Sequence, residues 1–165
     1  MLAAWTKITG GDAALALPSE LLQQVFTHKS YKHGFLPYNE RLSTLGRKLF
    51  YLHTALYTVN YPNANPTAIA GKNVDVLNTT AAVNLLRRNE VVARFARANG
   101  FLPAVRWRKV AEDAARSGET TVLAHTIFAA VGAVALHLGG PAAEKLCVEH
   151  MLTRPDGLIA QAASR

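Results

Sequence analysis

Apolar residues recur at spacings of three and four along almost the whole chain, and no window shows a sustained period-two alternation. The clearest run falls between residues 39 and 60, where six apolar positions share one helical face: Leu42, Leu45, Leu49, Leu52, Leu56 and Val59. Asn39 is the predicted N-cap of this helix. Pro18 opens the preceding helical run, as a helix-opening proline does. The pattern therefore predicts an all-α protein.

Turn-forming residues separate the remaining helical segments. Residues 61–66 form a predicted break, and residues 67–70 a short helical piece. Four longer helices are predicted at 74–99 (in one piece or two), 106–116, 119–138 and 142–152. Gly100 is the predicted C-cap of the first of these. No repeat, low-complexity segment or linker divides the chain, so we expect one domain.

The stretch from Val122 to Leu138 approaches the length needed to cross a bilayer. It contains His125 and His137, is rich in alanine and glycine, and lacks basic or aromatic anchors at its ends. We therefore predict a buried core helix and no membrane span. The first 20 residues match neither a secretory signal nor an arginine-rich transit peptide.

Composition limits the classes of protein and the kinds of site. Half of the 165 residues are hydrophobic, which is enough for a core and excludes disorder as the dominant state. The single cysteine, Cys147, cannot form an intramolecular disulfide. One thiol and six scattered histidines do not supply the ligand set of a structural zinc site, so no metal is expected.

Charge points to an anionic partner. The chain has 18 Lys and Arg against 11 Asp and Glu, a net charge of +7. Eight of the basic residues lie between positions 87 and 116, and Arg, which favours phosphate, predominates among them. The predicted RNA contacts are Arg87, Arg88, Arg94, Arg97, Arg106, Arg108, Lys109 and Arg116. A smaller basic cluster, Lys29, Lys32, Arg47 and Lys48, would extend this surface.

The arrangement of these arginines depends on the helix prediction. If residues 74–99 form one helix, Arg87, Arg94 and Arg97 lie within about 80° of one another and form a stripe. The alternative is a solvated surface on which nearby acids, Glu90, Glu112 and Asp113, neutralise the arginines.

Three short segments carry a resemblance to a known family. They read THKSY at 27–31, NERLSTLGR at 39–47 and LAHTIFAAVGA at 123–133. In this order and with helices between them, they resemble the signature segments of the ribonuclease III domain family. The resemblance covers about residues 17–152, and it implies a single ribonuclease III-like helical domain. Residues 1–16 are then an N-terminal extension and residues 153–165 a C-terminal tail, too short for a double-stranded RNA-binding domain.

The same resemblance implies that the chain is not an enzyme. The family holds magnesium with an acid pair at i, i+4 spacing on one helix and a second pair at i, i+3 on another. Those positions align here with Ser43, Arg47, His125 and Phe128. Only Glu40 keeps a family carboxylate, so neither catalytic residues nor a metal cofactor is expected.

A catalytically inactive domain with a basic surface is similar to the ribonuclease III-like proteins of the fungal mitochondrial large ribosomal subunit. This implies a structural, RNA-binding ribosomal protein in the mitochondrial matrix. The implied partners are ribosomal RNA, other large-subunit proteins and a second ribonuclease III-like subunit that forms a heterodimer with it. Two alternatives stay open: a stand-alone ribonuclease III-like nuclease, and a pseudoenzyme partner in RNA processing.

Overall fold

The computed structural model describes residues 1–61, 68–74, 80–109 and 117–163. The α-helices in these ranges are α1 (Leu2–Thr9), α2 (Ser19–Val25), α3 (Glu40–Asn60), α4 (Thr80–Arg87), α5 (Asn89–Ala98), α6 (Glu119–Leu138), α7 (Gly140–Lys145) and α8 (Leu158–Ala163). Short 3-10 turns lie at Ala13–Leu15, Tyr31–Gly34 and Ile69–Gly71, and a π-helical segment, Leu146–Leu152, continues α7. No β-strand occurs within these ranges, so the all-α prediction is confirmed.

Helices α3 and α6 form the centre of the fold. Among the described elements they make the most extensive contact, and α5 packs on another part of α6. Two glycines allow the two backbones to touch. A Cβ atom on Gly46 would lie 1.8 Å from the carbonyl oxygen of Phe128, and one on Gly132 would lie 2.1 Å from that of Leu42. The crossing point therefore accepts no side chain on either helix.

Helix α6 is apolar because it is the core helix. Its mean hydropathy is 1.8 over the most apolar window, and 67% of that window is buried inside the protein. Its buried residues run from Glu119 to Val134 and pack against α3 and α5. The prediction of a core helix is confirmed. Burial in the core explains why a helix of this length is also as apolar as one that crosses a bilayer.

Several predicted boundaries agree with the structure. Pro18 immediately precedes α2, α3 ends at Asn60, and α6 covers the predicted 119–138. The segment from 74 to 99 contains two helices, since Arg88 adopts an extended conformation between α4 and α5. Gly100 follows the end of α5 with φ of +75°, the left-handed conformation expected there.

The predicted N-cap is confirmed in position but not in its hydrogen bond, and another local prediction is wrong. Asn39 occupies the N-cap position of α3, but its side chain makes no capping hydrogen bond; Nδ2 donates a hydrogen bond of 3.0 Å to the carbonyl of Val25. Residues 106–109 are not helical, because the backbone N–H of Arg106 bonds to Phe26 O at 2.7 Å. The rest of the predicted basic helix, 110–116, lies outside the described residues, as do 62–67 of the predicted break and its short piece.

Both ends of the chain pack on the core, although the sequence pattern predicted no helix in either. Trp5 and Ile8 of α1 are buried, and Trp5 Nε1 donates to the carbonyl of Leu15 at 3.1 Å. At the other end Leu158 of α8 is fully buried. The guanidinium of Arg154 donates to the carbonyl of Ile8 at 3.1 Å, which joins the two ends.

An ion pair fastens the segment after α1, and it predicts a pH dependence of stability. Lys145 Nζ lies 2.6 Å from Asp12 Oδ2, and Asp12 also caps the turn at Ala14 N. The hydrogen bond from Lys145 lowers the pKa of Asp12 below its ordinary value of 3.8. A lowered native pKa stabilises the fold above the ordinary value, and this contribution is lost as the pH falls below it. Asp12→Asn should therefore lower stability at pH 7 and flatten the decline below pH 4, measured by urea unfolding.

The conservative variant Asp12→Glu is the matched control for that experiment, because it keeps the charge but changes the reach of the carboxylate. A pH dependence of unfolding that is identical in Asp12→Asn and the unmodified chain would contradict the assignment.

Candidate functional site

A cleft of about 320 Å³ opens between the first half of α3 and the first half of α6. Its lining residues are Glu40, Ser43, Thr44, Arg47, Lys48 and His125. Glu40, Thr44 and Lys48 are four residues apart along α3 and therefore lie on one face of that helix. The close crossing at Gly46 and Gly132 brings His125 of α6 against that face. The structure thus joins four residues that the two signature segments had singled out: Glu40, Ser43, Arg47 and His125.

The carboxylate of Glu40 is paired. Lys29 Nζ lies 2.7 Å from Glu40 Oε1, and both side chains are about half exposed. The hydrogen bond from Lys29 lowers the pKa of Glu40, and the same bond raises the pKa of Lys29. Glu40 is therefore ionised at neutral pH, with its charge balanced by a neighbouring cation.

His28 lies beside His125, the histidine that lines the cleft, and the two ring centroids are 6.4 Å apart. Burial lowers the pKa of His125, and the nearby charge of Arg47 lowers it further. Burial and Lys29 lower the pKa of His28. Both rings are therefore neutral at pH 7. The backbone N–H of Ser30 donates a hydrogen bond of 3.2 Å to Nδ1 of His28. The neighbouring backbone therefore fixes the orientation of this imidazole.

Phe128 does not line the cleft. It is fully buried and lies in an aromatic cluster, 5.5 Å from the ring of Phe50 and 6.2 Å from that of Tyr51. The guanidinium carbon of Arg47 lies 4.9 Å from the Phe128 centroid, within the range of a cation–π contact. On the Tyr51 side a second arginine, Arg87, makes the same contact at 4.9 Å. The aromatic cluster thus contacts two arginines: Arg47, which lines the cleft, and Arg87, which does not.

The described residues contain no group of three or more His, Cys, Asp or Glu that could hold a metal ion. Cys147 is buried, and burial raises the pKa of its thiol to about 12. A thiol of that kind is neither a nucleophile nor a metal ligand at neutral pH. Within this part of the chain, the cleft between α3 and α6 is the place where polar side chains converge on the two signature segments.

The eight basic residues predicted to contact RNA do not form one stripe. The helix break at Arg88 separates Arg87 from Arg94 and Arg97, so the single-helix geometry is wrong. Arg87 also points inward, donating a hydrogen bond of 2.7 Å to the carbonyl of Tyr51. Arg97 pairs with Glu119 at 2.7 Å, not with the acids considered from sequence.

The remaining basic residues have different surroundings. Arg88, Arg108 and Lys109 are exposed, whereas Arg94 is half-buried. Arg106 is half-buried at a second cleft near α2, and Arg116 lies outside the described residues. That these eight residues contact RNA stays a prediction.

Sequence reasoning missed Thr44 as a cleft residue and Tyr51 as the support of Arg87. Thr44 follows Glu40 by four residues and precedes Lys48 by four, so helical spacing was the available signal. The contact between Tyr51 and Arg87 joins residues 36 positions apart and has no local signal.

The helical arrangement is that of a ribonuclease III nuclease domain. Two solved structures of this domain from Campylobacter jejuni match at 20% identity, with TM-scores of 0.66 and 0.57. Each covers 87% of this chain, and the matches span 92% and 90% of the Campylobacter chains. At this identity the likeness shows the fold alone.

Sequence comparison gives the family. The model of the ribonuclease-III-like family matches residues 18–154, and the chain belongs to that family. The chain is 31% identical over 157 residues to large ribosomal subunit protein mL57 of Neurospora crassa, covering 88% of this chain and 58% of that protein. It is 31% identical over 138 residues to ribonuclease 3 of Streptococcus thermophilus, covering 81% and 56%. The chain thus spans somewhat more than half the length of these relatives.

Proposed function

We propose that the chain is a structural, RNA-binding protein of the mitochondrial large ribosomal subunit, located in the matrix. The observation that carries this proposal is the cleft, in which the carboxylate of Glu40 faces two cations and a histidine. The similarity to mL57 over 88% of the chain supports the ribosomal assignment. The ribonuclease III fold then serves as a scaffold that holds ribosomal RNA and neighbouring proteins.

The absence of nuclease activity is part of the proposal. Magnesium requires oxygen ligands, and hydrolysis by this family requires the metal. At the positions aligned with family carboxylates, Arg47 would repel the cation, and Phe128 offers no lone pair. Ser43 and His125 add no charge at neutral pH, and Glu40 is held by Lys29. We infer that no metal-dependent step takes place in this cleft.

An exposed apolar face on α3 supports a protein partner. Leu45, Leu52 and Leu56 are 39%, 51% and 46% exposed, and spacings of seven and four place them within about 40° on the helix. Exposed leucines in a row are typical of an interface. We propose a second ribonuclease III-like subunit as the partner on this face, giving a heterodimer.

Fractionation of native extract tests the ribosomal assignment. The chain is expected to co-sediment with the mitochondrial large subunit, and to remain there at low salt. A chain that stays in the free soluble fraction under those conditions would overturn the proposal.

The similarity to ribonuclease 3 of Streptococcus thermophilus favours a second candidate, a stand-alone nuclease. Incubation of the chain with duplex RNA and magnesium separates the two. We expect no cleavage above the buffer control. Magnesium-dependent cleavage that Glu40→Gln abolishes would establish the nuclease instead.

The salt dependence of RNA binding tests the basic surface. Replacing the exposed Arg88, Arg108 and Lys109 by glutamine should weaken binding to ribosomal RNA fragments. It should also reduce the slope of log K against log salt by about 0.7–0.9 per lost phosphate contact. Arg87→Gln is the control from the same basic segment, because its guanidinium bonds to Tyr51 O. It should lower stability and leave the salt slope unchanged.

A slope that the triple variant leaves unchanged would place the RNA surface elsewhere. A slope reduced equally by Arg87→Gln would show that net charge, and not these positions, determines binding.

A further inference from the structure

The cleft between α3 and α6 has a net positive charge. Arg47 and Lys48 contribute two cations, and neither forms an ion pair within the described part of the chain. The carboxylate of Glu40 is already balanced by Lys29 on its other side. Anions are therefore attracted to this cleft, and a divalent cation is repelled.

The polar groups at the cleft are mostly hydrogen-bond donors. The Ser43 hydroxyl has no hydrogen-bond acceptor among the described residues, so its hydrogen is available. Thr44 Oγ1 already donates to the backbone carbonyl of Glu40 at 3.0 Å, so this hydroxyl presents only lone pairs outward. The neutral ring of His125 supplies one N–H. Arg47, Lys48, Ser43 and His125 thus offer donors from two helices to one small volume.

The guanidinium of Arg47 is positioned before any ligand arrives. It lies over the ring of Phe128, and Phe50 and Tyr51 hold that ring in place. Within the described residues this guanidinium makes the cation–π contact with Phe128 and no ion pair or side-chain hydrogen bond, so its N–H groups are available to a ligand. A side chain that is already ordered loses less conformational entropy on binding. Planar, paired N–H groups suit the oxygens of a phosphate.

We propose that this cleft binds a phosphate group directly, without a divalent cation, through Arg47, Lys48, Ser43 and His125. The volume of about 320 Å³ admits a phosphate together with several waters, since a water occupies about 30 Å³. Two sources share this chemistry: a phosphodiester of an RNA backbone, which rests on the proposed function, and free inorganic phosphate.

Titration followed by ¹H–¹⁵N NMR in EDTA tests the site. Inorganic phosphate is added to the full chain first, and an RNA duplex with 5′-hydroxyl ends is added to a second sample. We expect phosphate to shift the amide signals of Ser43, Arg47 and His125 without magnesium. If the RNA backbone occupies the cleft, the duplex shifts the same signals, and added phosphate competes with it there.

Substitutions on one helix provide the comparison. Arg47→Gln and Lys48→Gln, singly and together, should weaken phosphate binding, the double variant by roughly tenfold or more. Arg41→Gln is the matched control, because Arg41 is exposed on the same helix but lines a different depression. It should leave phosphate binding unchanged. Lys48 is exposed, so Lys48→Gln tests the site even if Arg47→Gln weakens the fold.

The proposal is overturned if phosphate shifts none of these signals, if binding requires magnesium, or if Arg41→Gln weakens it as much as Lys48→Gln. RNA binding separates this failure from failure of the proposed function. A duplex that binds while the cleft signals stay unmoved rejects the RNA backbone as the source of the phosphate, and the site itself is rejected if inorganic phosphate also leaves those signals unmoved. A duplex that binds nowhere on the chain rejects the RNA-binding function.

Discussion

Gly46→Ala is expected to lower the free energy of unfolding by more than about 3 kcal/mol, and to prevent folding if the chain is only marginally stable. The added Cβ would lie 1.8 Å from Phe128 O and 2.6 Å from the backbone nitrogen of Gly132. Both of these are main-chain atoms inside α6, so neither can rotate away as a side chain would. Relief requires α3 and α6 to separate, and the core between them would lose its packing.

Urea unfolding followed by far-UV circular dichroism measures this effect. Gly140→Ala is the matched control, because a Cβ on Gly140 meets no atom within 4 Å and the residue opens α7. It should change stability by less than about 1 kcal/mol. If Gly46→Ala unfolded at the same urea concentration as Gly140→Ala, the close crossing of α3 and α6 would be wrong.

Phe128→Glu is expected to lower the free energy of unfolding by about 3–5 kcal/mol. The substitution removes a fully buried ring from its contacts with Phe50 and Tyr51. It also places a carboxylate among apolar groups, where burial opposes ionisation. Arg47 is the cation beside this position, so it should offset part of the loss.

A double-mutant cycle measures that offset. Phe128→Glu should be more damaging in an Arg47→Asp background, because the carboxylate then faces a like charge in place of the guanidinium. Phe128→Leu is the control, which keeps an apolar group and should destabilise the chain less. A loss below about 1 kcal/mol for Phe128→Glu would contradict the buried aromatic cluster.

The sequence predicted the elements whose signals are local. Helices α3 and α6 have long apolar runs and clear stops, at Tyr61 and at Gly139, and their bounds agree with the pattern. Helix α2 was marked by a proline at its start. The pair α3 and α6 could also be placed together, because the resemblance already assigned both to one family fold.

Contacts between distant residues decided the predictions that failed. Asn39 lies at the N-cap position, but its amide is oriented so that Nδ2 donates to the buried carbonyl of Val25 and Oδ1 accepts no capping hydrogen bond from α3. Arg106 lies in a helix-compatible stretch, but its backbone pairs with the chain at Phe26 and His28. Helices α1 and α8 carry short apolar patterns that become helices against an existing core.

The candidate site, like the fold, could be predicted where its signals are local and could not be predicted where they depend on contacts between distant residues. Its position could be predicted, since the signature segments on α3 and α6 contain Glu40, Ser43, Arg47 and His125. Its electrostatics could not, because the partner of Glu40 is Lys29, eleven residues earlier in a loop. The inward orientation of Arg87 was equally hidden, since a charged residue after an apolar run is usually exposed.

The short parallel bridge between Thr27 and Arg106 has a mechanical consequence. Two backbone hydrogen bonds cross it, of 2.7 Å and 2.9 Å, and the N–H of Arg108 adds a third, of 3.0 Å, to Ser30 Oγ. The loop that carries Lys29 is thereby coupled to the segment that carries Arg108. A ligand that immobilises one side of this bridge also restrains the other side, so occupancy at the basic segment would restrain Lys29, the ion-pair partner of Glu40 in the cleft.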